Sequence, residues 1–407
     1  MLDLSPNNQP TDDDLELAEE VAVEPAEYQA MTGESLGKTL DITTWETGVQ
    51  ALQAFDRLEQ EMEQAERLSS DLRKSIRENI FQHIKSPGAP SCAGVYRATI
   101  ADVKDAQNNV LFNGLVEACD ANSHVFHTLS VQIIQIAVAT TSYRGEEEMW
   151  AHRIFRRDIP LKGGSSLLDD TLEILRRRSG GLDNNGGRRK ITDMMRRGVM
   201  TYMERSVLAE KAKAPWRVGH GNPLAYELLS GAGLTELIEK SIPVLDRLVL
   251  QHKRFLFIPS VTKKEHFLTI GDALDPLEYA IIDDATADLN RLLEGGYRGD
   301  WKSVADKQLA PFCREAGPAV VAGVYRASAM APARMFYAHR DFAHEAAHIA
   351  LADSVLQEHR GFPMLIDMAD GVCSAYFGAD TLNRPSITAL SNTGQPYRYL
   401  DERATRA

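Results

Sequence analysis

Asp120 is the leading candidate in this sequence for a catalytic or metal-binding residue, because of its type and position. It follows the apolar run 115–119 and precedes Ala121-Asn122-Ser123, and a second apolar run begins at residue 131. A carboxylate at the end of a buried strand, with others brought beside it, can hold Mg²⁺ or Mn²⁺ for phosphodiester hydrolysis. The alternative role is a turn-forming aspartate between two strands.

Three further acids could join Asp120. Glu204 lies in a basic stretch, where its alternative role is an ion-pair partner. Asp367 and Asp370 are three residues apart, which places both carboxylates on one face of a helix. They follow Gly361-Phe362-Pro363, so they also fall near the start of that helix, where acids favour the helix dipole.

Positive charge is concentrated in one segment of an acidic chain. The net charge is −13, yet residues 1–35 hold ten Asp or Glu and no Lys or Arg, while residues 176–217 hold twelve Lys or Arg and four acids. That basic segment predicts a surface that faces phosphates, although a solvated helix face is the alternative. Its candidate DNA-binding residues are Arg188, Arg189, Lys190, Arg196, Arg197 and Arg205.

A rival motif occurs at residues 344–348, where His344-Glu345-Ala346-Ala347-His348 matches HExxH. This spacing puts two imidazoles on one helical face with a glutamate that could activate zinc-bound water, as in metallopeptidases. A third ligand is required downstream, and Glu358 is too close on the same helix. Asp367, Asp370 and Asp380 remain as candidates, and the alternative is a pair of satisfied histidines on a half-buried helix.

The elements that must position these residues follow from the hydrophobic periodicity. Residues 44–85 carry an apolar stripe at helical spacing, which ends at Ser86-Pro87-Gly88. Strands are predicted at 110–119, 131–143, 150–159, 216–218, 254–260, 267–270, 319–326 and 333–337, and helices at 167–178, 190–214, 341–359 and 364–377. This mixture predicts an α/β fold with a mixed sheet.

The composition divides the chain into four segments. Residues 1–40 form an acidic tail predicted to be disordered, 41–90 a helical N-terminal segment, 91–382 the main domain and 383–407 a polar tail. The four cysteines form no CxxC pair, so neither a disulfide framework nor a thiolate zinc site is indicated. No apolar stretch reaches the roughly 20 residues of a membrane span, and no signal peptide is recognisable, so we expect a cytoplasmic protein without a membrane partner.

Four short motifs in a fixed order resemble the NurA family of nucleases, over roughly residues 94–377. They are an apolar strand ending in Asp120-Ala121-Asn122, a helix with Met195-Arg196 and Glu204, a strand followed by residues 219–224, and Gly361-Phe362-Pro363 before a helix with Asp367 and Asp370. The resemblance implies a ribonuclease-H-like mixed sheet with flanking helices, here with a long N-terminal helix, and Mn²⁺- or Mg²⁺-dependent DNA cleavage. It also implies a homodimer fed with DNA by a hexameric HerA-type ATPase, in DNA repair or antiviral defence.

The resemblance implies roles for particular residues and leaves two departures. Asp120, Glu204 and Asp370 are expected to be catalytic, and Asp120, Glu204, Asp367, Asp370 and His220 to be metal ligands. His220 stands where the family has an aspartate, and Asp370 where it has a histidine. Both residue types bind Mn²⁺, so the exchange is compatible with a working site. A catalytically inactive adaptor that caps a DNA translocase and a zinc metallopeptidase are the alternatives.

Overall fold

A computed structural model describes residues 24–45, 47–48, 55–127, 132–156, 185–261, 264–294 and 300–393 of the 407. The chain divides into two compact units, Met1–Asp71 and Leu72–Ala407. Within the described residues, no helix is both long enough and apolar enough to cross a membrane.

A single mixed sheet of nine strands organises the second unit, in the order β1-β7-β8-β9-β6-β5-β2-β3-β4. The strands are β1 Gly94–Arg97, β2 Val116–His127, β3 Gln132–Thr141, β4 Glu147–Arg156, β5 Trp216–His220, β6 Phe255–Ile258, β7 Glu278–Asp284, β8 Val320–Tyr325 and β9 Arg334–His339.

The part of the sheet that matters for the site comprises β2 to β6. Strands β2, β3 and β4 form an antiparallel meander, while β5 pairs parallel to β2 and β6 pairs parallel to β5. The spatial order β4-β3-β2-β5-β6, with β3 antiparallel to the rest, is that of a ribonuclease-H-like sheet. The predicted α/β fold with a mixed sheet and flanking helices is therefore confirmed.

Fourteen α-helices accompany the strands in the part of the chain that the structure describes. They are α1 Pro25–Thr32, α2 Leu36–Leu40, α3 Phe55–Asn79, α4 Ile100–Asp105, α5 Asn185–Glu210, α6 Tyr226–Ser230, α7 Thr235–Leu245, α8 Glu265–Asp272, α9 Thr286–Glu294, α10 Asp300–Val304, α11 Ala310–Ala319, α12 Ala343–Ser354, α13 Met364–Phe377 and α14 Ala379–Asn392. Helices α4, α7 and α10 each run on into a π-helical segment, at Ala106–Leu111, Asp246–His252 and Ala305–Leu309.

The helices cover both faces of the sheet because its central strands are apolar on both sides. Strand β6 shows this alternation: Phe255 and Phe257 belong to one core cluster, and Leu256 and Ile258 to the other. Helix α5 contributes Val207 and Leu208 to the first cluster, and helix α13 contributes Leu365, Ile366 and Ala369 to the second. Helices α5 and α13 therefore approach the sheet from opposite faces.

Several predicted elements differ from the observed ones. The strand predicted at 267–270 is part of helix α8, because Phe267, Ile270 and Gly271 face the core at helical spacing. Strands β1 and β7 were not predicted, and the polar tail from residue 383 begins within helix α14. Helices α1 and α2 fall in the segment whose composition predicts disorder. The helix predicted at 167–178 lies outside the described residues.

Candidate active site at the carboxyl end of strand β5

Asp120 lies where strand β2 continues past its parallel neighbour. The two strands pair from Val116↔Trp216 to Cys119↔Gly219, and β5 ends one residue later at His220. Strand β2 runs on to His127 against β3, so Asp120 lies inside the strand instead of ending it as predicted. The carboxyl ends of parallel strands are where α/β sheets gather ligand-binding side chains.

The carboxyl group of Asp120 is shielded from solvent beside two other acids. Its side chain is 13% exposed. Burial raises its pKa well above the ordinary value, and the nearby carboxylates of Glu204 and Asp370 raise it further. The backbone N–H of Ala121, which donates to Oδ1 at 2.9 Å, opposes this shift only in part. The carboxylates of Glu204 and Asp370 thus disfavour ionisation of Asp120.

Helix α5 supplies Glu204 together with a buried arginine. Glu204 is 5% exposed, and its Oε1 accepts from Arg205 Nη1 at 2.5 Å and from the backbone N–H of His220 at 3.3 Å. Arg205 Nη2 donates to the carbonyl oxygens of His220 and Asn222, both at 2.9 Å, and the guanidinium lies 4.2 Å from the ring centroid of Phe257. Arg205 therefore fixes both Glu204 and the turn after β5.

The prediction that Arg205 contacts DNA is wrong. Arg205 is 1% exposed and lies in the core, so no phosphate can reach it. A buried arginine is stable only when carboxylate and carbonyl acceptors take its donors, as they do here. The sequence shows its charge but not its burial.

His220 faces Asp120 with one ring nitrogen and is held by the other. Nδ1 lies 4.0 Å from Asp120 Oδ1, and Nε2 accepts from the backbone N–H of Ser260 at 3.2 Å. Burial lowers the pKa of His220, which favours the neutral ring. Because Nε2 is an acceptor, the hydrogen-bond network assigns the ring proton to Nδ1, on the side of Asp120. A ligand role for His220, as predicted, would require the opposite tautomer.

Helix α13 separates the two acids that the sequence grouped together. Asp370 lies near Asp120, whose pKa it raises, and accepts from Ser374 Oγ at 3.2 Å. Asp367 instead accepts from Gln357 Nε2 at 2.6 Å and forms an ion pair with Arg360. Of the predicted pair, Asp370 therefore affects Asp120 electrostatically, and Asp367 is engaged by Gln357 and Arg360.

The donor set fits a hard divalent cation in its chemistry. Carboxylate oxygens are the ligands that Mg²⁺ and Mn²⁺ prefer, and a cation would relieve the mutual repulsion of Asp120, Glu204 and Asp370. The side chains do not converge, however. Across the described ranges, no group of three or more His, Cys, Asp or Glu side chains is close enough together to hold a metal ion.

Strand β2 brings further polar residues to the same region. Arg196 Nη1 donates to Ser123 Oγ, which ties helix α5 to β2. His124 lies close enough to Arg196 and Asp370 for both charges to affect its pKa, although burial, which lowers that pKa, has the larger effect. His124 was not among the predicted site residues. The signal was available, since residues 120, 122 and 124 share one face of a strand.

The other predicted DNA-binding residues lie on helix α5. Arg197 is paired with Glu227 at 3.9 Å, and the side chains of Arg188, Arg189 and Lys190 lie outside the described residues. Helix α5 itself begins at Asn185. The charge along its first half therefore stays a prediction.

The HExxH motif lies on helix α12, away from this cluster. His344 Nδ1 is 3.0 Å from the hydroxyl oxygen of Tyr279, and the rings of His344 and His348 both pack edge-on against the Tyr279 ring. Since no group of three metal-ligating side chains is present in the described part of the chain, the motif lacks a third ligand there. This arrangement matches satisfied histidines and not a zinc site.

Comparison with known proteins gives structural matches only. No protein-family model and no curated protein matches the sequence. The NurA nuclease from Sulfolobus solfataricus matches with a TM-score of 0.43 and 9% identity, over 84% of this chain and 98% of that one. The chain is distantly similar to NurA.

Two further structures give comparable values. A NurA structure matches with a TM-score of 0.43 and 11% identity, over 85% of this chain and 98% of that one. NurA bound to dAMP and manganese matches with a TM-score of 0.39 and 9% identity, over 84% of this chain and 96% of that one.

Proposed function

We propose that this chain is a divalent-metal-dependent DNA nuclease with Asp120, Glu204 and Asp370 as its catalytic carboxylates. The observation that carries the proposal is the buried Asp120 carboxyl group, whose pKa is raised by burial and by two further acids on elements from opposite faces of the sheet. Carboxyl groups with a perturbed pKa are concentrated at functional sites, and metal-dependent hydrolases use such groups as ligands.

Each residue has a distinct part in the proposed reaction. Asp120, Glu204 and Asp370 would hold Mn²⁺ or Mg²⁺, and the bound metal would supply Lewis-acid chemistry for the hydrolysis of a phosphodiester. Arg205 fixes the orientation of Glu204 from within the core. His220 presents Nδ1–H toward Asp120, 4.0 Å from its Oδ1, and would donate a hydrogen bond to a phosphate oxygen bound beside them.

DNA would lie along helix α5 and strand β2. Arg196 is anchored to Ser123 three residues beyond Asp120, so its charge is held close to the proposed catalytic residues. Arginines that contact phosphates position a strand without reading its sequence. We therefore propose cleavage without base specificity, with Arg188, Arg189, Lys190 and Arg197 extending the contact.

The proposed partners are a second copy of the chain and a hexameric HerA-type ATPase, in the cytoplasm, in DNA end processing or antiviral defence. Their support is the sequence resemblance. The second candidate is an adaptor without catalysis, which is favoured by one observation: the carboxylates do not converge into a ligand group among the described residues.

A nuclease assay decides between these candidates. Purified protein is incubated with linear and with circular DNA in Mn²⁺, Mg²⁺ or Zn²⁺, with and without a HerA-type ATPase. The nuclease proposal expects cleavage in Mn²⁺ or Mg²⁺ that stops with a chelator. An adaptor would bind the ATPase and leave DNA intact in every metal.

A further inference from the structure

A ring flanked by two arginines lies behind the proposed active site. The guanidinium carbons of Arg334 and Arg360 lie 5.7 and 5.9 Å from the ring centroid of Phe362, which is 5% exposed. The Phe362 ring also packs edge-on against His220, with the ring centroids 6.3 Å apart. His220 faces Asp120, so only the Phe362 ring separates these arginines from a residue of the proposed active site.

The contacts of the two arginines leave a surplus of positive charge. Arg334 donates through Nε and Nη2 to the carbonyl oxygen of Arg360, at 3.1 and 2.8 Å. Arg360 forms its ion pair with Asp367 and also donates to Gln357 Oε1 at 2.9 Å. One carboxylate therefore serves two guanidiniums, since the acceptors of Arg334 and the Gln357 oxygen are uncharged.

The two cations also disfavour each other. Burial lowers the pKa of Arg334, and the charge of Arg360 lowers it further, although Tyr325 and Asp367 act in the opposite direction. Arg360 nevertheless keeps a side chain that is 59% exposed. An anion arriving from solvent could reach Arg360, and its charge would relieve the repulsion between the arginines.

We propose that Arg360 and Arg334 form a subsite for a phosphate group of DNA, next to the phosphate that is cleaved. The inference rests on the proposed nuclease function. A guanidinium recognises phosphate through paired N–H donors, and it does so without reference to the base. The phosphate would take over donors of Arg360 that Asp367 now holds, so Asp367 acts here as an internal competitor for the subsite.

The bound phosphate has two possible sources: an internal phosphodiester of the strand, or the terminal 5′-phosphate of a DNA end. Both present the same oxygens to the arginines. Oligonucleotides that carry either a 5′-phosphate or a 5′-hydroxyl group separate them.

The test measures binding by fluorescence anisotropy with a short labelled single-stranded oligonucleotide in EDTA, where metal-dependent cleavage cannot consume the probe. We expect Arg360→Gln to raise Kd roughly tenfold, because a charge-assisted contact to phosphate is lost. The slope of log Kd against log salt should fall by about 0.7 for single-stranded DNA. Arg360→Lys, which keeps the charge but not the paired donors, should lose less.

Two further variants sharpen the test. Asp367→Asn removes the competing carboxylate and should tighten DNA binding, the opposite of the Arg360→Gln effect. Arg384→Gln is the matched control, since Arg384 is an exposed arginine paired with an aspartate four residues away on helix α14. The Arg334 hydrogen bonds end on the Arg360 backbone, so Arg360→Gln keeps them, and circular dichroism confirms folding.

The outcomes divide clearly. A penalty confined to the 5′-phosphorylated oligonucleotide assigns the subsite to a DNA end, and an equal penalty on both assigns it to the strand backbone. If Arg360→Gln and Arg384→Gln bind DNA with the same Kd and the same salt slope, while the wild-type protein cleaves DNA, the subsite proposal alone is overturned. A wild-type chain that binds no DNA and cleaves none overturns the proposed function as well.

Discussion

We expect Asp120 to lower the stability of the folded protein, because burial and the charges of Glu204 and Asp370 raise the pKa of its carboxyl group. Such a group contributes to function through the charge that it concentrates, and the fold is less stable for it. Replacement of this carboxylate should therefore act on activity and stability in opposite directions.

We expect Asp120→Asn to reduce Mn²⁺-dependent DNA cleavage by about a hundredfold or more, and to raise Tm at neutral pH in EDTA. Asparagine has the same shape but removes one of the opposed charges. Gel assays and thermal melts measure the two effects, and Asp380→Asn on exposed helix α14 serves as the control. A folded Asp120→Asn protein with wild-type cleavage would remove Asp120 from the site.

Glu345→Gln separates the nuclease from the peptidase hypothesis. The exposed Glu345 lies on helix α12 beside histidines that pack against Tyr279. We expect the variant to cleave DNA at the wild-type rate, whereas a zinc peptidase would lose roughly a hundredfold or more in rate. Stoichiometric zinc in the purified protein, with peptide hydrolysis that depends on Glu345, would contradict the nuclease assignment.

The sequence predicted three acids that affect one another electrostatically, but not the neighbours that hold two other charged residues. Asp120, Glu204 and Asp370 were chosen from strand and helix positions. The charges of Glu204 and Asp370 raise the pKa of Asp120, although the three side chains do not converge into a ligand group within the described residues. Arg205 and Asp367 were assigned by charge type alone. Whether a charged side chain is buried or paired depends on tertiary neighbours, which periodicity does not reveal.

At the scale of secondary-structure elements, Asp353 connects helix α12, the segment after strand β3 and helix α13. It lies near the end of helix α12 and is 2% exposed. It accepts from the hydroxyl of Tyr143 beyond strand β3, and from the backbone N–H of Leu365 at 3.0 Å in the first turn of helix α13. The helix that carries Asp370 is therefore anchored at its start by a buried carboxyl group.

Asp353 should make stability depend on pH. Burial raises its pKa from 3.8 to about 6, so the folded state binds the proton more tightly than the unfolded chain. The stabilisation is complete below about pH 4 and is lost as pH rises through about 6, by about 3 kcal/mol. Asp353→Asn, which stays neutral, should gain in Tm relative to wild type between pH 4 and 7.

Thermal melts across that range measure the difference between Asp353→Asn and wild type. Asp380→Asn is again the control, because Asp380 is exposed and should leave the pH dependence unchanged. An Asp353→Asn protein whose Tm follows pH in parallel with wild type would show that Asp353 does not titrate in this range.

Two glycines test packing beside the site. A Cβ at Gly219 would lie 2.2 Å from a ring carbon of the buried Phe257, on which Arg205 rests, while a Cβ at Gly371 in helix α13 meets nothing within 4 Å. We expect Gly219→Ala to destabilise by about 1–3 kcal/mol and Gly371→Ala to stabilise by about 0.5–1 kcal/mol. Denaturant unfolding measures both, and equal effects would refute the packing argument.

Elements with long, regular patterns were predictable, and short ones were not. Helix α13 was predicted with its observed bounds, and β3 was found from its run of Val, Ile and Thr. The strand predicted at 110–119 overlaps only the first four residues of β2, which continues through the segment 120–124 that the sequence marks as a polar loop. Strand β1 has four residues, too few to show a period. The segment of α8 holds three apolar residues that suit either period, and only burial on one face decides for a helix.

At the scale of the whole molecule, helix α3 carries apolar residues at helical spacing. Leu58, Met62 and Leu72 lie on one side of this 25-residue helix and are 54%, 66% and 57% exposed. We expect a homodimer that buries this stripe. Light scattering should give a dimer, Met62→Glu should give a monomer, and Met330→Glu, at a residue 63% exposed, should leave the dimer intact.

A wild-type chain that is monomeric by light scattering, and that recovers no ATPase in pull-downs from its host, would contradict the proposed assembly.

Full strand order was not predictable, because it depends on pairings distant in sequence. Strand β1 pairs with β7, for example, across Gly94↔Ile281. The meander β2-β3-β4 joins neighbours in sequence, and its order follows from connectivity.

The three proposed catalytic carboxylates are far apart in the sequence, and this has a consequence for biosynthesis. Asp370 is translated 250 residues after Asp120, and Glu204 falls between them. At about 5–20 residues per second, the ribosome needs roughly 12–50 s to cover that distance. During this interval, a nascent chain holds at most two of the three acids, and a chain that stalls before helix α13 never acquires the third. Incomplete products of translation would therefore be harmless to the DNA around them.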